Sequence, residues 1–510
     1  MNETNQTGIR RAALVFLALF LAAHAFAFAN LTLSGGGLTI YVGGSAGEQI
    51  RAGNWLRPLY ERLRGGISAP WLMGALSLAF LCASFLLIRG LLRGCSPLRS
   101  AALAGCLALH PAVLSVFVSE MNHADAVFLS MLLCCAGARL LLREKRGWLP
   151  AAALWGLAAS LSPEMWLYGP MLLLAAWPGC RAAAGLSPDG APEAAGASLR
   201  GGRGGAPAGS PGDAQDPGKA RAVFIHAASA AFVSFALFAV GLFVMLRRYG
   251  VSAPFRPDAA SFLNGVLSLP RSYLLPFSAY APLSAALFPA LALLCAFFAF
   301  REGRRPRAWK TAALRLVLLL FLSGVSAALW GARTLTLSQP LLAVFFLSLL
   351  PEDEELPRLP RRCMAGALAA LFLGQIVYAN QMHLMKNLEF QSTVSLMTRV
   401  LDRVERTEGF IPGKTEAALL GSPGESPLSV AHEGFERLSQ FPGAEKHMAA
   451  FTESDDAAFV WQVMGYPLNL VSDAERDRLA ADPAMRDMPA FPAEGCIRWA
   501  GSTLVIRLSP

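Results

Sequence analysis

The feature that most constrains this chain is a succession of apolar runs, each near the length that crosses a bilayer. About 20 helical residues span the hydrocarbon layer. Such runs occur at residues 12–29, 72–92, 101–118, 126–142, 223–245, 277–300, 312–330, 335–350 and 364–378. A further stretch, 148–177, is too long for one simple span and is interrupted at Ser162-Pro163-Glu164. Proline breaks a helix, and a carboxylate at membrane depth is costly unless it faces protein or water. We read two short helices meeting at Glu164, which brings the expectation to about eleven spans. Charged residues make up 15% of the chain, against about 25% in soluble domains. The fold class expected is therefore an all-α polytopic membrane protein.

Charge distribution sets the expected topology. The formal net charge of +9 conceals a basic excess over residues 1–380 and an acidic excess over 381–510. Lys and Arg gather in alternate links: at Arg10-Arg11, and over 93–99, 143–146, 301–310 and 358–362. Such links face the cytoplasm. The N-terminus is then inside, 12–29 is an uncleaved first helix, and an odd number of spans puts 381–510 outside. The basic excess follows from topology and implies no nucleic-acid partner. Residues 181–221, rich in Gly, Ala and Pro, read as a disordered cytoplasmic insertion. The tail, 381–510, reads as a small α/β domain. It has an amphipathic helix at 394–408, a buried strand at 417–420 and a closing hairpin turning at Ala500-Gly501-Ser502. The domain division is thus 1–380 and 381–510. The nine cysteines form no Cys-x-x-Cys set and the seven histidines are scattered, so no metal centre is expected.

The candidate chemistry lies in three links on the expected outer side. The longest, 34–71, carries Glu48 and Arg51 at i and i+3, with Trp55 and Tyr60 giving interfacial character. The second carries Glu120, Asn122, His123 and Asp125. The third is the break at Glu164. Transfer to a hydroxyl needs a positioned base, for which Glu48, Asp125 and Glu164 are the candidates, with His123 beside them. Asp125 also opens a helix, where the dipole favours a negative charge without any further role. Outer arginines suit a phosphate-bearing lipid or simply neutralise headgroups. Arg51, Arg57 and Arg333 are the phosphate-binding candidates. Glu61 and Asp258 read as plain surface charges.

Several segments carry a family resemblance. They are Leu38-Thr39-Ile40-Tyr41, Gly53-Asn54-Trp55-Leu56-Arg57-Pro58-Leu59-Tyr60, Ala69-Pro70-Trp71-Leu72, Asn122-His123-Ala124-Asp125 and Val377-Tyr378-Ala379-Asn380. With these the chain resembles bacterial polytopic membrane glucosyltransferases of the type II O-antigen kind, within the wider GT-C-like group that uses polyprenyl-phosphate sugars. The resemblance implies transfer of a sugar, glucose first, from a polyprenyl-phosphate donor to a cell-surface glycan at the outer face of the bacterial cytoplasmic membrane. It implies a carboxylate in the first outer loop, for which Glu48 is the candidate, and Asp125 is the matching acid that remains; to these our reading of the residues adds Glu164 and His123 at the reacting centre, Arg51, Arg57 and Arg333 on the donor phosphate, and Tyr41, Asn54, Trp55 and Asn122 lining the site. The chain departs from the family pattern at Gly43-Gly44, where an acidic pair is expected. That departure favours the alternative of a catalytically impaired relative that binds or moves lipid-linked sugar, or scaffolds glycan assembly.

Overall fold

A computed structural model describes residues 3–30, 46–66, 69–92, 96–119, 121–143, 147–176, 217–250, 306–330, 337–349, 358–421, 438, 441, 460 and 463–509. Its helices in chain order are α1 (Glu3–Ala29), α2 (Ala46–Arg51), α3 (Arg57–Leu63), α4 (Pro70–Leu91), α5 (Pro97–Ala108), α6 (Pro111–Ser119), α7 (Ala124–Arg143), α8 (Trp148–Leu161) and α9 (Tyr168–Ala175). They continue as α10 (Pro217–Tyr249), α11 (Pro306–Trp330), α12 (Pro340–Leu349), α13 (Arg358–Glu405), α14 (Asp473–Ala481) and α15 (Pro483–Arg486).

Among the described residues, six helices are long and apolar enough to cross a membrane. They are α1, α4, α5 continued by α6, α7 with the turn that precedes it, α10 and α13. This differs from the eleven spans expected. The stretch after Trp148 forms two short helices, of 14 and 8 residues, as the proline break requires. α11 has 25 residues, and within it and α12 the described apolar segments run Ala312–Ser326 and Pro340–Leu349. The expected span 277–300 and the insertion over 181–216 lie outside the described residues.

Local sequence explains the helix ends. Ser96 caps α5, its hydroxyl accepting from the Arg99 amide at 3.2 Å, and Pro97 takes the first turn, where no amide donor is needed. Pro111 then interrupts the run, and His110 Nδ1 accepts from the Ala112 amide at 3.0 Å to restart the chain as α6. The Pro97–Ser119 segment is buried almost all round and forms the centre of the bundle. Packing there is aromatic. Phe16 stacks on Phe85, and Phe117 meets Phe20 and Phe28 edge-on. α8 is held between α7 and α10. Its Trp155 is fully buried and donates to the Cys134 carbonyl at 3.1 Å. A Cβ on Gly137 or Gly169 would fall 2.6 or 2.3 Å from that indole, so glycine at these places lets α7 and α9 close on it.

α13 is continuous over 48 residues, about 72 Å at 1.5 Å per residue. That is more than twice a hydrocarbon layer of about 30 Å. One end joins the membrane-length helices: His383 Nε2 lies 3.1 Å from His24 Nδ1 on α1, and the Asn380 amide donates to the Ala22 carbonyl at 2.8 Å. A buried polar interval follows, with Lys386 and Glu389 paired at 3.0 Å. The other end packs Met397, Val400, Leu401 and Val404 against a sheet. The expected boundary at 380 is thus not a break in the chain; one helix serves both parts.

That sheet has the order β2-β1-β4-β3, with β1 Glu416–Leu420, β2 Asn469–Leu470, β3 Ile497–Ala500 and β4 Thr503–Arg507. β1 runs parallel to β2 and β4, while β3 and β4 are antiparallel. Alternate residues face opposite sides. Ala417, Leu419, Leu504 and Ile506 turn to α13, and Ala418, Leu420 and Val505 turn to Leu479, Met485 and Met488 of the α14–α15 side. The hairpin pairs Ala500 with Thr503 across two residues, and Gly501 alone takes a positive φ, 65°. That is a type II′ turn, which calls for glycine at its first position. Back at the bundle, Phe441 packs on Tyr378 with ring centroids 5.9 Å apart.

Candidate functional site

The polar heart of the molecule is the underside of α3. α2 ends at Gly53, whose φ of 89° turns the chain; the Gly53 and Asn54 amides close back on Ile50 and Gln49 at 3.0 and 2.8 Å. The Leu56 amide then donates to the Ser160 carbonyl at the end of α8, at 3.0 Å, and Arg57 Nε to the Leu161 carbonyl at 3.2 Å. These bonds lay α3 across the end of the bundle. The Trp55 ring completes the anchor by resting on Gly241 of α10, where an added Cβ would come within 2.3 Å of it.

α3 is inverted relative to a helix on a water-soluble protein. Leu59 and Leu63 are 53% and 79% exposed, whereas Arg57 and Glu61 are 6% and 0% exposed. The Arg64 side chain, just beyond the helix, is 4% exposed. Positions 57, 61 and 64 share one helical face, and here that face is charged and turned inward. Glu61 is therefore not the plain surface charge expected from sequence. In an apolar surrounding, a charge is stable only where protein supplies its partners.

Those partners come from the turn Met121–His123 and the start of α7. Asp125 is 0% exposed. Its Oδ1 accepts from Arg64 Nη1 at 2.5 Å and its Oδ2 from the Tyr60 hydroxyl at 2.8 Å. Arg64 also donates to the Asn122 carbonyl, at 3.2 and 3.3 Å. His123 Nδ1 sits 2.5 Å from Glu61 Oε1, and the Gln49 amide donates to Glu61 Oε2 at 3.0 Å. Burial alone would push the Glu61 carboxyl up. His123, the Gln49 amide and the Arg57 charge outweigh it and hold the group below its ordinary value. The Tyr60 phenol is pushed up, by burial first and then by the Asp125 carboxylate, so it remains a donor.

The residues expected from sequence fall into three groups. Asn122, His123, Asp125, Arg57, Asn54 and Trp55 are brought to this one patch. Glu164 lies in the turn Pro163–Met165, three residues beyond Leu161, whose carbonyl holds Arg57; it is half-buried, and its carbonyl accepts from the Ser326 hydroxyl of α11 at 3.1 Å. Arg51 is exposed in the last turn of α2. Glu48 falls on α2, its side chain outside the described set. Tyr41, Arg333, Glu120 and Asp258 lie outside the described residues. Sequence reading missed Gln49, Glu61 and Arg64 as members. The signal that could have found them is the charged spacing 57, 61, 64 against Leu59 and Leu63, read with lipid rather than water as the solvent.

Among the described residues, Gln49 Oε1, Asn54 Oδ1 and Trp55 Nε1 at this patch have no hydrogen-bond partner, and Glu61 Oε1 and His123 Nδ1 have only their close ion-pair contact with each other. Among the described residues no group of three or more His, Cys, Asp or Glu could hold a metal ion. Compared with known proteins, the chain matches no family model, no curated protein and no solved structure.

Proposed function

We propose that this membrane protein is a glycosyltransferase that moves a sugar, glucose in the first instance, from a polyprenyl-phosphate donor to a hydroxyl of a cell-surface glycan. In this reading the N-terminus is cytoplasmic, and α3 with residues 381–510 lies on the outer side of a bacterial cytoplasmic membrane. The observation that carries it is the charged face of α3 buried against Asn122, His123 and Asp125, with partnerless acceptor and donor atoms on Gln49, Asn54 and Trp55 beside it. In a bundle this apolar, a cluster of buried polar groups with unpartnered atoms suits a polar ligand. A sugar supplies hydroxyls to both kinds of atom. Arg51, exposed at the edge of the patch, serves the donor phosphate. Arg57 serves chiefly to hold α3, since its Nε is committed to Leu161.

One feature favours a second reading, binding of lipid-linked sugar without transfer. Asp125 is wholly buried with both oxygens occupied, so it is a brace for α3 rather than a ready base. The test is sugar transfer by the full chain in proteoliposomes from a short-chain polyprenyl-phosphate glucose. Transfer by wild type supports the first reading. Saturable binding of the donor with no transfer to any surface glycan supports the second.

A further inference from the structure

Asp125 is sealed, yet a second acid–base pair lies beside it with one side open. His123 is 18% exposed at its side chain and Glu61 is 0% exposed. Gln49 holds Glu61 Oε2, and Glu61 Oε1 lies 2.5 Å from His123 Nδ1. A carboxylate on Nδ1 selects the tautomer that carries its proton there, and leaves the lone pair on Nε2. The His123 side chain is partly exposed, and Nε2 is its ring nitrogen away from Glu61.

We propose that His123 is the proton acceptor of this site and that Glu61 is its positioning residue. The inference rests on the transferase reading for the identity of the hydroxyl. In the step, the acceptor O–H bond breaks and its proton passes to His123 Nε2. The oxygen bonds to the anomeric carbon, and the anomeric carbon–oxygen bond to phosphate breaks, polyprenyl phosphate leaving with the electron pair. The imidazolium formed is stabilised by Glu61 and afterwards returns its proton to water. Around His123, α3 presents Arg57, Tyr60, Glu61 and Arg64, and α7 presents Asp125. α6 has no titratable side chain, and α4 has only Cys82 and Arg89, well away from its first turn.

Two readouts on the full chain in lipid nanodiscs test this. The first is independent of activity: nitrogen-15 histidine spectra at pH 8.5, with the His123 signal identified by its loss in His123→Gln. The expected wild-type signal is neutral imidazole protonated on Nδ1, and Glu61→Ala should lose that preference. A signal protonated on Nε2, or unchanged by Glu61→Ala, overturns the pairing. The second is the rate of sugar transfer. His123→Gln should lower kcat by about a hundredfold or more, with donor KM little changed. Glu61→Gln should lower kcat with donor KM little changed; a merely structural Glu61 would leave kcat per folded enzyme unchanged. Wild-type transfer with an undiminished rate in His123→Gln overturns the proposal while leaving the transferase reading intact. If wild type transfers nothing, the transferase reading fails and the proton-acceptor role with it, and the spectra then decide the pairing alone.

Discussion

At the scale of residues, Arg64 and Asp125 form a buried ion pair, and such pairs are asymmetric in their energetics. Forming one gains little over well-packed apolar groups, but removing one partner strands a charge and costs about 3–5 kcal/mol. Arg64→Ala is therefore expected to lower the unfolding temperature far more than the Arg64→Leu, Asp125→Leu double variant relative to its number of lost contacts. Thermal unfolding of the two proteins in the same detergent checks this. Tyr60→Phe removes a single hydrogen bond to a charged group, about 1.5–3 kcal/mol, and should fall between wild type and Arg64→Ala. Glu61 makes a pH prediction. Its carboxyl is held below the ordinary value, so its contribution is complete above the unfolded value, near pH 4.3, and is lost as pH falls through the lower folded value. The difference in unfolding temperature between wild type and Glu61→Gln should close as pH falls below about pH 4. A difference that widens below that pH contradicts the assignment.

At the scale of elements, α3 shows what sequence alone conveyed and what it did not. Trp55 and Tyr60 suggested a segment at the membrane surface. They did not convey which face turns inward: Leu59 and Leu63 face out and Arg57 and Glu61 face in, the reverse of the rule, apolar side in, that assumes water outside. Leu63→Ala should therefore change stability by less than about 0.5 kcal/mol, while Glu61→Ala costs clearly more; equal losses would contradict the inverted orientation. The anchor on α10 makes a second element-level prediction. Gly241→Ala places a methyl 2.3 Å from the Trp55 ring, an overpacking that costs about 1–3 kcal/mol. Adding Trp55→Ala should recover most of that loss in a double-mutant cycle. The break at Pro163, the closing hairpin and the strand at Ala417 were legible, since proline, glycine and alternation act locally. The continuity of α13 was not: the polar interval at Lys386 and Glu389 looks like the end of a span, and only burial of those side chains against the rest of the protein lets the helix run on.

At the scale of the whole molecule, apolar helices bury one cluster of charged side chains where α3 meets the start of α7. Membrane-spanning character was legible from run length and hydropathy. The composition of the candidate site was legible in part: Asn122, His123 and Asp125 lie together in sequence, but their partners Gln49, Glu61 and Arg64 are more than fifty residues away, and nothing local links them. The roles changed with the geometry. Asp125, first as a base by sequence, is bonded to Arg64 and Tyr60, and His123 beside Glu61 is the proton acceptor we propose in its place. The most direct measurement is the initial rate of sugar transfer from a short-chain polyprenyl-phosphate glucose by the full chain, wild type beside Arg51→Gln. The account predicts transfer by wild type and a donor KM raised about tenfold or more in the variant, the loss of one charge-assisted contact to phosphate. Wild-type protein that neither transfers the sugar nor binds the lipid-linked donor would contradict it.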